Sequence, residues 1–112
     1  MNINAKNLID FSKDLKLKGK GKLTIESYTK DAESFLAFLN TNSYKLSELE
    51  PYYLSDYQYY LKKEKKGKTN TIRRAVIGIR QFFRFLVKEK ILLDSPFDEL
   101  PIPSREDNLQ IL

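Results

Sequence analysis

The 112-residue chain is 41% hydrophobic and 31% charged, and its 20 Lys+Arg against 15 Asp+Glu give a formal net charge of +5. That length suits one compact domain, and seven Phe with seven Tyr supply enough bulky apolar surface for it to fold rather than stay disordered. The absence of Cys and His excludes disulfides, a thiolate- or imidazole-based zinc site, and Ser-His-Asp or Cys-His nucleophile chemistry within the chain.

No cofactor, metal or small-molecule substrate is implied by any motif. No apolar run nears the ~20 residues of a membrane span, and the N-terminus lacks the apolar core of a signal peptide. A cysteine-free chain fits a reducing cytoplasm. The basic balance favours polyanionic partners without identifying one.

In chain order, residues 3 to 17 read as a short amphipathic helix, with Leu8, Phe11 and Leu15 three and four apart. KLKGKGKLT, residues 16 to 24, is a flexible basic loop; it lacks the GxxxxGK[ST] spacing of a nucleotide-cradling loop. A second helix is predicted from about Leu23 to Asn40, with Ile25, Tyr28, Ala32, Phe35, Leu36 and Leu39 on one apolar face and Ser27, Lys30 and Ser34 opposite. Residues 41 to 51 form a loop, and Pro51 suits the first turn of a third helix, where its missing N–H is harmless. That helix runs to about Lys65, with Leu54, Tyr57 and Leu61 inward, and Gly67 breaks it.

Thr69 or Asn70 is the predicted cap of a fourth helix running to about Lys90. Asp94, Ser95 and Pro96 end helical structure. Residues 94 to 112, with three prolines, read as an extended linker that stops on Ile111 and Leu112 as though a following domain had been cut away. No strand pattern of useful length and no internal repeat is present. The expected fold is all-α: a small orthogonal four-helix bundle over residues 1–93 with an extended C-terminal linker over 94–112.

The fourth helix carries two registers. Ile72, Val76, Ile79, Phe83 and Leu86 form an apolar seam, and Arg73, Ile77, Arg80 and Arg84 run one residue out of phase. The ordinary reading of a charged seam is a solvated face. Here the seam is arginine rather than mixed Lys and Glu, no acidic residue lies between Lys65 and Lys88, and KEKKGKTNT places basic side chains at the helix start. A helix N-terminus suits phosphate, and arginines farther along suit base edges in a major groove. The stripe therefore reads as a surface for double-stranded DNA. The KGKGK loop gives a second basic helix start, continued by Thr24, Ser27 and Lys30. Among the tyrosines of YYLSDYQYYL, residues 52 to 61, a core role for Leu54, Tyr57 and Leu61 outweighs a base-stacking platform. Ile77 fits either a thymine methyl or a packing neighbour.

Taken in order, these segments resemble the N-terminal core-binding (SAM-like) domain of tyrosine recombinases, or phage integrases, of the XerC/XerD and lambda-integrase type. TIESYTKDAESFLAFL (24–39) matches a Thr-hydrophobic-x-x-Tyr helix start followed by Asp, Phe and Leu. Pro51, Tyr57, Tyr60 and Leu61 match a Pro-led helix. TIRRAVIGIRQFFRFL (71–86) matches a Thr-Ile-x-Arg start and an Arg-x-Phe run, and ILLDSP (91–96) a closing hydrophobic turn. Gly21 stands where a capping Ser is common, Ile77 where Ser is common, and Gly78 where Ala is usual; Gly78 still allows close helix packing.

The resemblance implies an α-helical domain clamping one face of a recombination site, with the strand-cutting residues in a separate C-terminal domain and no catalysis in this chain. It supports Thr24, Thr71, Arg74 and Arg80 as DNA contacts. The helical-face reading adds Lys22, Ser27, Lys30, Lys68, Asn70 and Arg73. The expectation is thus duplex DNA binding by a domain that is monomeric alone and part of a tetramer on DNA, in a cytoplasmic, bacterial or phage-encoded recombinase. The rival is a helical protein-interaction module whose basic face meets an acidic partner. A stand-alone enzyme is poorly supported, since no paired carboxylates share a recognisable pocket wall.

Overall fold

The computed structural model describes residues 3–103; the two terminal residues of the sequence motif reading, Ile111 and Leu112, and the linker from residue 104 onward lie outside them. The elements are α1 (Ala5–Leu17), α2 (Lys22–Thr41), α3 (Tyr52–Lys63) and α4 (Thr69–Lys88). Among the described residues there is no strand.

Helix boundaries follow local chemistry. The predicted first helix began at Ile3, but Asn4 is the N-cap. Its side chain accepts from the backbone N–H groups of Lys6 and Asn7 at 3.0 and 3.3 Å, and Asn7 Oδ1 accepts from the Asn4 N–H at 2.7 Å. Neither Thr69 nor Asn70 caps α4. The reversal before it closes early, with Lys66 at φ 53° and the Gly67 N–H donating to the Leu61 carbonyl at 2.8 Å, so the extended N-cap is Lys68 and Thr69 opens the helix. Gly21 caps α2 without a side-chain hydrogen bond. Both helices therefore start at a lysine-bearing turn that carries no side-chain cap at the N-cap residue.

Three helices stop in the same way. Lys20 N–H donates to Leu15, Tyr44 to Leu39 and Ile91 to Leu86, around left-handed residues Gly19, Ser43 and Lys90. Hence α4 ends at Lys88, and Lys90 belongs to the stop rather than the helix.

Helix α4 is the hub and packs most extensively on α2, while also meeting α1 and α3. It buries all five residues of the predicted seam together with Ala75, Gly78, Phe82 and Phe85, a wider face than one seam. The reason is that partners lie on several sides of it. Phe82 and Phe85 meet Phe11 of α1 at 5.2 and 5.7 Å between ring centroids, while Phe83 meets Phe35 of α2 at 6.0 Å. Gly78 marks the closest approach of α2: a Cβ there would lie 3.1 Å from the Tyr28 Cα, so the missing side chain is what lets the two backbones meet. On α3, Leu54 and Tyr57 are buried as predicted, and Tyr53 is buried too, its hydroxyl donating to the Lys45 and Glu48 carbonyls at 2.9 and 3.1 Å.

The segment read as an extended linker from residue 94 is described only as far as Pro103, and that part holds one core residue. Phe97 is fully buried, with its ring 4.9 Å from Phe83 and 5.5 Å from Phe35. A large apolar ring placed seven residues after an exposed turn is drawn into the core, because burying a Phe contributes roughly 1.5–3 kcal/mol.

Candidate nucleic-acid interface

On α2, Thr24, Ser27 and Asp31 step by three and four, which aligns them along one side of the helix. On α4, Asn70 and Thr71 stand one turn before Arg74, and Ile77 one turn after. The two rows meet at a bidentate ion pair: Arg74 Nε and Nη2 each donate to an Asp31 carboxylate oxygen at 3.0 Å. The Asp31 side chain is 12% exposed and the Arg74 side chain 46% exposed. Arg74 thus compensates a nearly buried carboxylate with one edge of its guanidinium and keeps the rest at the surface. Burial pushes the neighbouring Tyr57 hydroxyl up to about 12, and the Asp31 charge adds to the shift.

This junction is where α2, which carries Thr24, Ser27 and Lys30, meets α4, which carries Asn70, Thr71, Arg73 and Arg74. Lys22 and Lys30 are exposed on α2, and Lys68 is exposed at the start of α4. The side chains of Lys22, Lys30, Lys68 and Arg73 form no hydrogen bond or ion pair among the described residues. Each of these cations, and each of the two lysine-bearing helix starts, is locally attractive to an anion.

The farther arginines are engaged differently. Arg80 Nη2 donates to the Asp98 carbonyl at 2.6 Å, and Arg84 Nε donates to the Asp98 carboxylate at 3.1 Å. The lack of acidic residues between Lys65 and Lys88 therefore does not leave the stripe unpaired. Two of the four arginines on α4, Arg74 beside the stripe and Arg84 on it, meet carboxylates that arrive from α2 and from beyond α4. Asp31 and Asp98 are the site residues that the one-dimensional reading missed. Asp31 did carry a signal: it sits at the edge of an apolar face, between Tyr28 and Phe35, where a carboxylate needs a partner. Asp98 carried none. Ile77, half-buried, lies on the same seam as Arg73 and Arg80.

A cleft of about 670 Å³ at the loop between α2 and α3 is lined by Tyr44, Tyr52 and Tyr53 with Glu48, Glu50 and Asp56 against the single cation Lys45, a net acidic lining that disfavours phosphate. Tyr44 donates to Asp56 at 2.7 Å, and that bond with burial pushes its hydroxyl up to about 12. Among the described residues no group of His, Cys, Asp and Glu could hold a metal ion, and no helix is long and apolar enough to cross a membrane.

The chain matches the phage integrase SAM-like domain over residues 7–102. It is similar to tyrosine recombinase XerC of Bacillus pumilus, 30% identical over 94 residues covering 82% of this chain and 30% of that protein. It is similar to XerC of Bacillus licheniformis, 30% identical over 110 residues covering 95% of this chain and 36% of that protein. It is also similar to tyrosine recombinase XerD of Vibrio cholerae, 30% identical over 79 residues covering 70% of this chain and 26% of that protein. The chain spans about a third of the length of these curated relatives. No solved structure matches it. The family match runs from Asn7 in the first turns of α1 to Ile102, past the buried Phe97, and so covers the whole packed unit: the chain belongs to the phage integrase SAM-like domain family.

Proposed function

We propose that this chain binds duplex DNA at a recombination site, as the non-catalytic arm of a site-specific tyrosine recombinase whose strand cleavage and rejoining are carried by another part of the protein. One observation carries the reading. The Arg74–Asp31 pair joins two helices whose remaining cations, Lys22, Lys30, Lys68 and Arg73, have no partner among the described residues. Their unneutralised charge beside two helix starts suits phosphates. Thr24, Ser27, Asn70 and Thr71 add short polar side chains that suit the same backbone. Arg74 turns its free guanidinium edge toward a groove. Arg80, whose charge is not cancelled by a carbonyl, adds to the field.

The test is fluorescence anisotropy with a labelled duplex carrying the parent element's end sequence, against a scrambled duplex. About four phosphate contacts predict a roughly 100-fold loss of affinity between 50 and 200 mM salt. Lys68→Ala and Arg73→Ala should each weaken binding and lower the salt slope by about one. Binding that is absent from both duplexes at low salt overturns the reading and directs attention to an acidic protein partner.

A further inference from the structure

We infer that residues 97–103 form a strap running antiparallel along α4, and that Arg80 and Arg84 are positioning residues fixing where the chain leaves the bundle. Phe97 anchors one end in the core against Phe83. One residue on, Asp98 is held twice, its carbonyl by Arg80 at 2.6 Å and its carboxylate by Arg84 at 3.1 Å. The Leu100 carbonyl lies 3.4 Å from Arg80 Nη1, and the Leu100 side chain packs on the core. Pro103 then shares the lining of a cavity of about 340 Å³ with Tyr59 of α3 and Thr69 and Ile72 of α4.

Read in order, the strap meets α4 near residue 83, then 80, then 72 and 69. The lengths agree. Eleven helical residues from 72 to 83 rise about 16 Å; a turn at 97–100, closed by the Leu100 N–H on the Phe97 carbonyl, spans under about 7 Å, and three residues more to 103 add about 10 Å. The guanidinium fork explains the choice of residue: two nitrogens in one plane can hold two carbonyls of the 97–100 turn, which a lysine ammonium does with no fixed geometry. The strap therefore delivers the chain at Pro103 to the N-terminal end of α4, where Lys68 stands. This inference goes beyond the DNA-binding reading and does not depend on it.

The chain has no cysteine, so paired nitroxide labels are clean to introduce. Glu33→Cys with Ile102→Cys should give one narrow distance by pulsed electron paramagnetic resonance in DNA-free solution. Adding Arg80→Ala and Arg84→Ala should spread that distance over roughly 10 Å, as for a free tether of five or six residues. A control pair, Glu33→Cys with Ser55→Cys on α3, should stay narrow. If circular dichroism shows the double substitution to be unfolded, Arg84→Gln alone is measured, with a smaller broadening expected. A distribution that is broad before any arginine is changed, or unaltered after both are removed, overturns the strap. With no DNA present, that result leaves the DNA-binding reading untouched.

Discussion

The arginines at the two ends of α4 share a residue type but are built for different work. Toward the N-terminus, Arg73 has no partner among the described residues, and Arg74 keeps 46% of its side chain exposed while compensating Asp31. Toward the C-terminus, Arg80 and Arg84 are both spent on residues 98 to 100. Sequence distance explains why the ends look alike in one dimension. Asp31 lies 43 residues before Arg74, and Asp98 lies 14 residues after Arg84. A stripe without acids of its own is not thereby unpaired; its charge state is decided by what other elements bring to it.

The largest test of this contrast is at the strapped end. Phe97→Ala should lower stability by about 3–5 kcal/mol, the usual loss for a fully buried Phe, read as a shifted urea midpoint at constant slope. A loss under about 0.5 kcal/mol is what an exposed linker residue would give, and would return residues 94 onward to the linker.

The helices themselves were legible in the sequence because apolar periodicity reports them directly. Leu54 and Tyr57 on α3, Phe35 and Leu39 on α2, and the Ile72–Leu86 seam are all buried where the period places them. Close approach at Gly78 was also legible, since only a residue without a Cβ lets Tyr28 sit so near. The cap of α4 was not. Thr69 and Asn70 both favour capping, but the left-handed turn at Lys66 sets the start one residue earlier, and nothing in composition marks a lysine as left-handed. Phe97 was missed because its neighbours, Ser95, Pro96 and Asp98, signal a loop, and a lone ring in a loop has no period. The basic face was legible as charge, but its division into free and engaged cations depends on contacts between distant segments.

At the junction end, Arg74→Ala removes the partner of a nearly buried carboxylate. It should cost about 1–3 kcal/mol of stability, the half-exposed guanidinium keeping it below the loss for a fully buried pair. Arg73→Ala, one residue away, should change stability by less than about 0.5 kcal/mol. Thermal melts of the two variants side by side therefore separate the arginine that builds the face from the one left free on it. Equal melting points would show that the Asp31–Arg74 pair contributes nothing to joining α2 and α4. Asp31→Asn tests the same pair from the other side, and should be milder than Arg74→Ala because no unpaired charge is left inside.

The smallest effect lies at the far end of α4, where Lys88 and Lys18 both bond Asp14 of α1. Burial raises the Asp14 carboxyl, but the two ammonium groups outweigh it and hold its pKa below the ordinary value. A carboxylate depressed in the folded state stabilises the fold fully above its unfolded pKa of about 3.9, and that stabilisation is lost as pH falls through the folded value. Wild-type protein should therefore melt higher than Asp14→Asn at pH 6, with the gap closing as pH is lowered toward 3. Lys88 is half-exposed and screened by solvent, so the gap should also narrow in high salt. A gap independent of both pH and salt would mean that Asp14 holds α1 against α4 by packing rather than by charge, and the C-terminal end of α4 would then rest on Phe11, Phe82 and Phe85 alone.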